Sequence, residues 1–268
     1  MGFLSIAQTP LAPGVSPARI HYREAGRGSP IVILHGGWGY DMYPFDRQIA
    51  ALAPQHRLII PDRTGYGRSP SIDALPPDFH RRAADETRAV VDALGLERPA
   101  LWGHSDGAII ALRLALAIPD RVSAIIAEAS HYFRRKPRSR RFFGSVIANP
   151  ASTEIMRLHA RAWLQIGDDA ASDTEDFYDG RLSEIAVPVL IVHGAQDPRT
   201  EPGEIEALGA AVGAELAETR DGGETAGGAS SAPARLAMLA AAGHSPHSEN
   251  ATADAVTRLA AQLIDARA

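Results

Sequence analysis

A mostly parallel β-sheet with helices on both faces is the fold class this sequence predicts, and three observations predict it. Short aliphatic runs recur with little polar alternation, among them Ile31-Val32-Ile33-Leu34, Leu58-Ile59-Ile60 and Val189-Leu190-Ile191-Val192. That is the pattern of strands buried on both faces. Segments with helical spacing separate these runs, and regular strand–helix alternation implies right-handed parallel crossovers. Turn-rich segments follow several of the runs at the same end, where open parallel sheets bind ligands.

Taken in order, Arg19 to Glu24 alternates as an antiparallel strand and Gly26-Arg27-Gly28 is its turn. The Ile31–Leu34 strand empties into His35-Gly36-Gly37-Trp38-Gly39, a glycine-rich loop that no packing requirement explains. Phe45 to Leu52 has helical spacing, Arg57 to Ile60 is the next strand, and Pro61 to Ser69 is a turn-rich loop. Phe79 to Leu94 reads as a helix stopped by Gly95. Pro99 to Trp102 and Val122 to Ala127 are strands on either side of an apolar helix, Ala108 to Ile118. The rhythm then breaks between His131 and Glu184, where Ile155, Leu158, His159, Ala162, Trp163 and Ile166 recur on one helical face. We read 131–184 as a helical cap inserted into a core formed by 1–130 and 185–268. Alternation resumes with Val187 to Val192, a helix over Glu204 to Val212, a strand over Leu236 to Leu239 and a closing helix over Ala251 to Ile264. Asp221 to Pro233, rich in Gly, Ala and Ser, suits a flexible loop.

Bulk properties exclude several function classes. The chain has 268 residues, 45% hydrophobic and 22% charged, which is an ordinary globular composition. A net charge of -5 argues against a nucleic-acid partner, because no global positive field would collect phosphates. Absence of cysteine excludes disulfides and thiolate chemistry. No apolar run approaches the roughly 20 residues that cross a bilayer, and no secretory-type segment opens the chain, so no membrane partner and a cytoplasmic location are expected. The basic run Arg134, Arg135, Lys136, Arg138, Arg140 and Arg141 reads as a solvated surface stretch or as an anion-attracting mouth.

The chemistry centres on Gly103-His104-Ser105-Asp106-Gly107, where a strand runs straight into a helix. Glycines on either side of such a turn let strand and helix approach closely and push the serine hydroxyl into a cleft. A serine hydroxyl needs a general base, and that base an orienting acid. Asp197 lies just past the Val187–Val192 strand, and His244 just past the last strand, so both reach the edge that carries Ser105. The order Ser105, Asp197, His244 is that of a nucleophile, acid and base on this class of sheet. His247 is a rival base and Glu128 a rival acid, while His104, His35 and His193 are expected to brace structure. A zinc site finds no support, since no His-x-x-x-His spacing or carboxylate cluster is present, and the sequence calls for no cofactor and no metal.

The His35-Gly36-Gly37-Trp38 loop, Asp62 to Ser69, Gly-His-Ser-Asp-Gly, His193-Gly-x-x-Asp197 and Gly243-His-Ser-Pro-His247 together resemble the α/β-hydrolase fold family, in its small esterase and C–C hydrolase branch. The resemblance runs over nearly the whole chain, with an insertion near Val212 to Pro233. It implies Ser105 as nucleophile, His244 as base, Asp197 as its partner, and an oxyanion hole from the backbone N–H groups of Gly37 and Asp106, with Trp38 as second choice for Gly37. Trp38, Asp106, Trp163, Phe177 and Tyr178 are the expected substrate-binding residues. The expected partner is a small-molecule carboxylic ester. C–C hydrolysis of a diketone on the same residues, or a non-catalytic receptor that keeps the pocket, are the alternatives. Asp106 reads as an acid favoured by the helix start, or as a carboxylate that pairs with an ammonium group on the substrate.

Overall fold

The structure, a computed structural model, describes residues 1–217 and 234–266. Its strands are β1 (Gly2–Ile6), β2 (Ala18–Ala25), β3 (Ser29–Leu34), β4 (His56–Pro61), β5 (Ala100–His104), β6 (Ile125–Glu128), β7 (Val189–Gly194), β8 (Glu215–Ala217) and β9 (Ala234–Leu239). Among the described residues they form one sheet in the order β1-β2-β4-β3-β5-β6-β7-β9-β8. β1 and β2 are antiparallel to their neighbours, and every other pairing is parallel. The helices are α1 (Asp46–Leu52), α2 (Phe79–Ala93), α3 (Asp106–Ala117), α4 (Pro137–Ala148), α5 (Glu154–Asp169), α6 (Glu204–Val212) and α7 (Ala253–Asp265).

Side chains that alternate along the central strands divide between two cores. Val32, Leu34, Ile59 and Leu101 pack under α2 and α3, together with Ile205 and Leu208 of α6. Ile31, Ile33, Leu58, Ile60 and Trp102 pack on the other face under α1 and α7. The period-2 geometry of a strand makes this partition, and it explains why these runs carry no polar positions. Trp102 and Leu101 are fully buried on opposite faces; emptying either would cost about 2–5 kcal/mol.

The elements that escaped the sequence reading include β1 and α4, besides the short β8. β1 is an edge strand that buries only Leu4 and Ile6 against β2, too short for alternation to stand out. α4 was hidden by its charge: Pro137 opens it, and Ser139, Phe143 and Val146 form its buried stripe, while Arg138, Arg140 and Arg141 face solvent. The Asp221–Pro233 loop lies outside the described residues, as does most of the Val212–Pro233 insertion.

Parallel pairing brings the ends of β3, β5, β6, β7 and β9 to one edge. The segment between β6 and β7 returns α4 and α5 to that same edge, as the contacts below define.

Candidate active site

Ser105 stands between β5 and α3 with φ 55° and ψ -120°. A non-glycine residue there costs on the order of 1–3 kcal/mol, a strain held only where the surroundings fix it. The neighbouring glycines permit the turn. A Cβ on Gly103 would lie 2.1 Å from the Gly107 carbonyl oxygen, and one on Gly107 would lie 2.0 Å from that of Leu34. Both positions therefore require glycine.

His244 Nε2 is 3.1 Å from Ser105 Oγ, and His244 Nδ1 is 2.7 Å from Asp197 Oδ2. These three sequence-predicted residues meet. Asp197 also accepts the Arg199 backbone N–H at 2.9 Å on its other oxygen. Burial pushes the Asp197 carboxyl up, but the hydrogen bond and charge of His244 outweigh it and hold it at about 2. The acid is thus ionised at neutral pH, and His244 is oriented with Nδ1–H on the carboxylate and Nε2 towards the serine.

The rival residues form a second pair behind the first. Glu128 Oε1 accepts both the backbone N–H and the Nδ1–H of His247, at 2.8 and 2.7 Å, and Trp102 Nε1 donates to Oε2 at 3.1 Å. Burial raises the Glu128 carboxyl, but His247 overrides it and leaves it at about 2. His104 lies between the pairs, with Nε2 2.8 Å from the His244 carbonyl oxygen, and burial lowers it to about 3. One ligand atom each from His104, Glu128 and His247 would fit within 4.8 Å, the one candidate metal cluster among the described residues. Both Glu128 oxygens, both His247 nitrogens and His104 Nε2 already have protein partners, so the cluster fits a brace better than an ion. His35 and His193 also brace: His35 Nε2 accepts the Arg63 backbone N–H at 3.2 Å, and His193 Nε2 lies 2.6 Å from Thr200 Oγ1.

The glycine-rich loop lies against the serine. A Cβ on Gly36 would sit 3.2 Å from Ser105 Cβ, and one on Gly37 would fall 2.2 Å from the His159 ring and 2.7 Å from Asp106 Oδ2. No intrahelical acceptor exists for the N–H of Asp106 at the start of α3. Gly37 is fixed by Tyr66, whose hydroxyl donates to its carbonyl at 2.9 Å.

Asp106 is 1% exposed. Its Oδ1 accepts from His80 Nε2 at 2.7 Å and from Trp163 Nε1 at 3.1 Å, and His159 Nε2 stands 3.2 Å from Oδ2, out of line for a hydrogen bond. Burial raises this carboxyl, but the two histidines and Arg63 hold it well below the ordinary range. Asp106 is an acid in the first turn of α3, as the helix-start reading expects, and the core and the β6–β7 segment also enclose its carboxylate. Oδ1 is occupied by His80 and Trp163, and Oδ2 has no hydrogen-bond partner among the described residues. His80 and His159 were missed as site residues. Each lies on the apolar face of an amphipathic helix, where a histidine signals a buried acceptor, but the sequence does not say which one.

Of the other expected substrate-binding residues, Trp38 is half-buried with its ring 5.1 Å from that of His159. Trp163 stacks on Phe143 at 5.6 Å and meets Phe177 edge-on at 5.3 Å. Tyr178 is committed elsewhere: its hydroxyl donates to the His131 carbonyl at 2.8 Å and lies 3.0 Å from Ser130 Oγ, tying the segment after β6. Four members of the basic run are paired with carboxylates. Arg134 pairs with Glu175, Arg135 with Asp173 at 2.8 Å, Arg140 with Asp168 at 2.6 Å, and the buried Lys136 with Glu204. Arg138 and Arg141 are exposed. Lys136 Nζ also reaches His131 Nδ1 at 3.1 Å, and the His131 ring stacks 5.6 Å from that of His244.

No helix among the described residues is long and apolar enough to cross a membrane. Residues 29–165 match the family model described as the alpha/beta hydrolase fold. The chain is 30% identical over 223 residues to "Putative carbamate hydrolase RutD" of Azorhizobium caulinodans, covering 71% of this chain and 82% of that protein. It is 31% identical over 179 residues to a 2-hydroxy-6-oxo-6-phenylhexa-2,4-dienoate hydrolase of Comamonas testosteroni, covering 62% of this chain and 59% of that one. Among solved structures, a thermophilic esterase from Thermogutta terrifontis superposes with a TM-score of 0.68 at 18% identity, over 99% of both chains. The relatives are hydrolases, the superposition gives the same architecture, and the matched region takes in β3 to α5 with the Ser105 turn at its centre: the chain belongs to the alpha/beta hydrolase fold family.

Proposed function

We propose that this protein is a serine hydrolase that cleaves a small carboxylic ester through an acyl-enzyme on Ser105. The observation that carries the reading is that one imidazole, His244, faces Ser105 Oγ at 3.1 Å through Nε2 and Asp197 at 2.7 Å through Nδ1. In this mechanism Oγ attacks the ester carbonyl carbon as its proton passes to Nε2. The imidazolium that forms is stabilised by Asp197, which is already ionised. Negative charge moves to the carbonyl oxygen, where the backbone N–H groups of Gly37 and Asp106 receive it. The intermediate collapses, the C–O bond breaks, and the alcohol leaves with the proton from His244. Water then attacks the acyl-enzyme by the same sequence and releases the acid and free Ser105. Helices α4 and α5 act as a cap over this edge, where Trp38, Trp163 and Phe177 bound the space for the acyl group.

C–C hydrolysis of a diketone is the second reading, favoured by the 31% identity to the Comamonas testosteroni dienoate hydrolase. It would use the same serine and base. A series of nitrophenyl esters of increasing acyl length, run beside a 2-hydroxy-6-ketodienoate and a fluorophosphonate probe, tests both. Ester turnover and probe labelling that are both lost in Ser105→Ala support the proposal. Turnover of the ketodienoate with none of the esters cleaved would replace it by the second reading.

A further inference from the structure

Arg199 lies two residues after Asp197, in the loop that leaves β7. Its backbone is fixed at both ends, the N–H on Asp197 Oδ1 at 2.9 Å and the carbonyl accepting from Ser139 Oγ of α4 at 3.5 Å. The side chain is half-buried, and its guanidinium carbon lies 3.7 Å from the centre of the Phe142 ring and 6.0 Å from that of Trp38. One ring belongs to α4 and the other to the residue after Gly37, so the guanidinium spans the gap between the β6–β7 segment and the glycine-rich loop.

An aromatic ring occupies the face of a guanidinium and leaves its N–H donors free in the plane. Among the described residues no carboxylate or carbonyl oxygen accepts from the side chain of Arg199. Arg134, Arg135 and Arg140, by comparison, each have a carboxylate partner, while Arg138 and Arg141 are exposed rather than held against aromatic rings. Two acids act on Arg199 from a distance, Asp197 and Asp106. Asp197 is committed to His244, and Asp106 to His80 and Trp163. A guanidinium with no carboxylate acceptor, covered on one face by Phe142 and carried on a backbone tied to Asp197, can take one planar anion.

We propose that Arg199 receives a carboxylate carried by the substrate, so that the ester cleaved at Ser105 is the monoester of a dicarboxylic acid or the ester of a hydroxy acid. The identity of the scissile bond rests on the ester reading above; the anion site does not. A carboxylate fits better than a phosphate monoester. Its planar pair of oxygens matches the fork, and a dianion would meet one positive charge flanked by the carboxylates of Asp197 and Asp106.

The test separates binding from turnover. Ser105→Ala protein is titrated by calorimetry with monomethyl glutarate, whose carboxylate is on the acyl side, and with acetoxyacetate, whose carboxylate is on the alcohol side. The neutral amide analogue of each is titrated in parallel. At least one carboxylate should bind about 10-fold or more tightly than its amide, with the gap narrowing as salt rises. In Ser105→Ala/Arg199→Gln that ratio should collapse towards one, and in Ser105→Ala/Arg199→Lys it should be intermediate, because charge remains without the fork. Equal affinity of both pairs, or a preference that survives Arg199→Gln, overturns the proposal. Wild-type turnover of the same esters is followed by proton release. Cleavage without carboxylate preference would reject the anion site and leave the ester reading standing. An Arg199-dependent preference without cleavage of any ester would do the reverse.

Discussion

Glu128 holds His247 by two hydrogen bonds, at 2.8 Å from its backbone N–H and 2.7 Å from its Nδ1–H, and so withholds that imidazole from Ser105. The two histidines of Gly243-His-Ser-Pro-His247 are sorted by which acid each can reach. Asp197 takes His244, and Glu128 at the end of β6 takes His247.

His247→Ala should therefore fail through stability. Its side chain is 0% exposed, and removing it would leave the Glu128 carboxylate buried with its main partner gone. Breaking a buried pair costs about 3–5 kcal/mol. Denaturant titration should show that loss, and His247→Ala/Glu128→Gln should recover part of it. A single variant as stable as wild type would show that Glu128 does not depend on His247.

Ser105→Ala and His244→Ala should each lower ester turnover by a factor on the order of 10⁴–10⁶, because nucleophile and base act as a unit. Thermal midpoints should change little for Ser105→Ala, which keeps the Cβ and with it the same backbone strain. Retention of more than about a tenth of wild-type kcat/KM in either variant would count against the proposed mechanism.

Gly37→Ala should lower activity by about 10² or more, since the added methyl would overlap the His159 ring at 2.2 Å and push the loop away from Ser105. Gly37→Ala/His159→Ala removes the ring it meets. Partial recovery of kcat in the double variant is expected. A double variant no better than Gly37→Ala would mean that the nearby Asp106 Oδ2, not the ring, sets the limit.

Stability should fall with acid well before the carboxylates titrate. Burial holds His35 and His104 at about 3, and His159 and His193 at about 4, each below the ordinary 6.5. Between those values and 6.5 the unfolded chain binds protons that the folded chain refuses. Stability is therefore full above about pH 6.5 and is lost as pH falls, by up to about 1.4 kcal/mol per pH unit for each group. The carboxyls of Asp197 and Glu128, held at about 2, add loss of the same sign below their ordinary values. Thermal midpoints at pH 7.5, 5.5 and 4.5 should fall in that order. A flat profile would mean that these histidines are protonated in the folded protein.

The sequence by itself determined the alternation of strands and helices, the tight turn at Ser105 and the order Ser105, Asp197, His244. These are local facts. A strand buried on both faces excludes polar residues, and a turn at φ 55° with a Cβ limit of about 2 Å on either side admits only glycine there. Tertiary structure decided which charges meet. Nothing near Asp106 in the chain announces that His80, 26 residues before it, and Trp163, 57 residues after it, would close on its carboxylate. Likewise Arg134, Arg135, Lys136 and Arg140 read as free charge until Glu175, Asp173, Glu204 and Asp168 fold back onto them. Periodicity records which face of an element is buried. It does not record what that face is buried against, and the partner of a charged or hydrogen-bonding group is set by packing between elements distant in the chain.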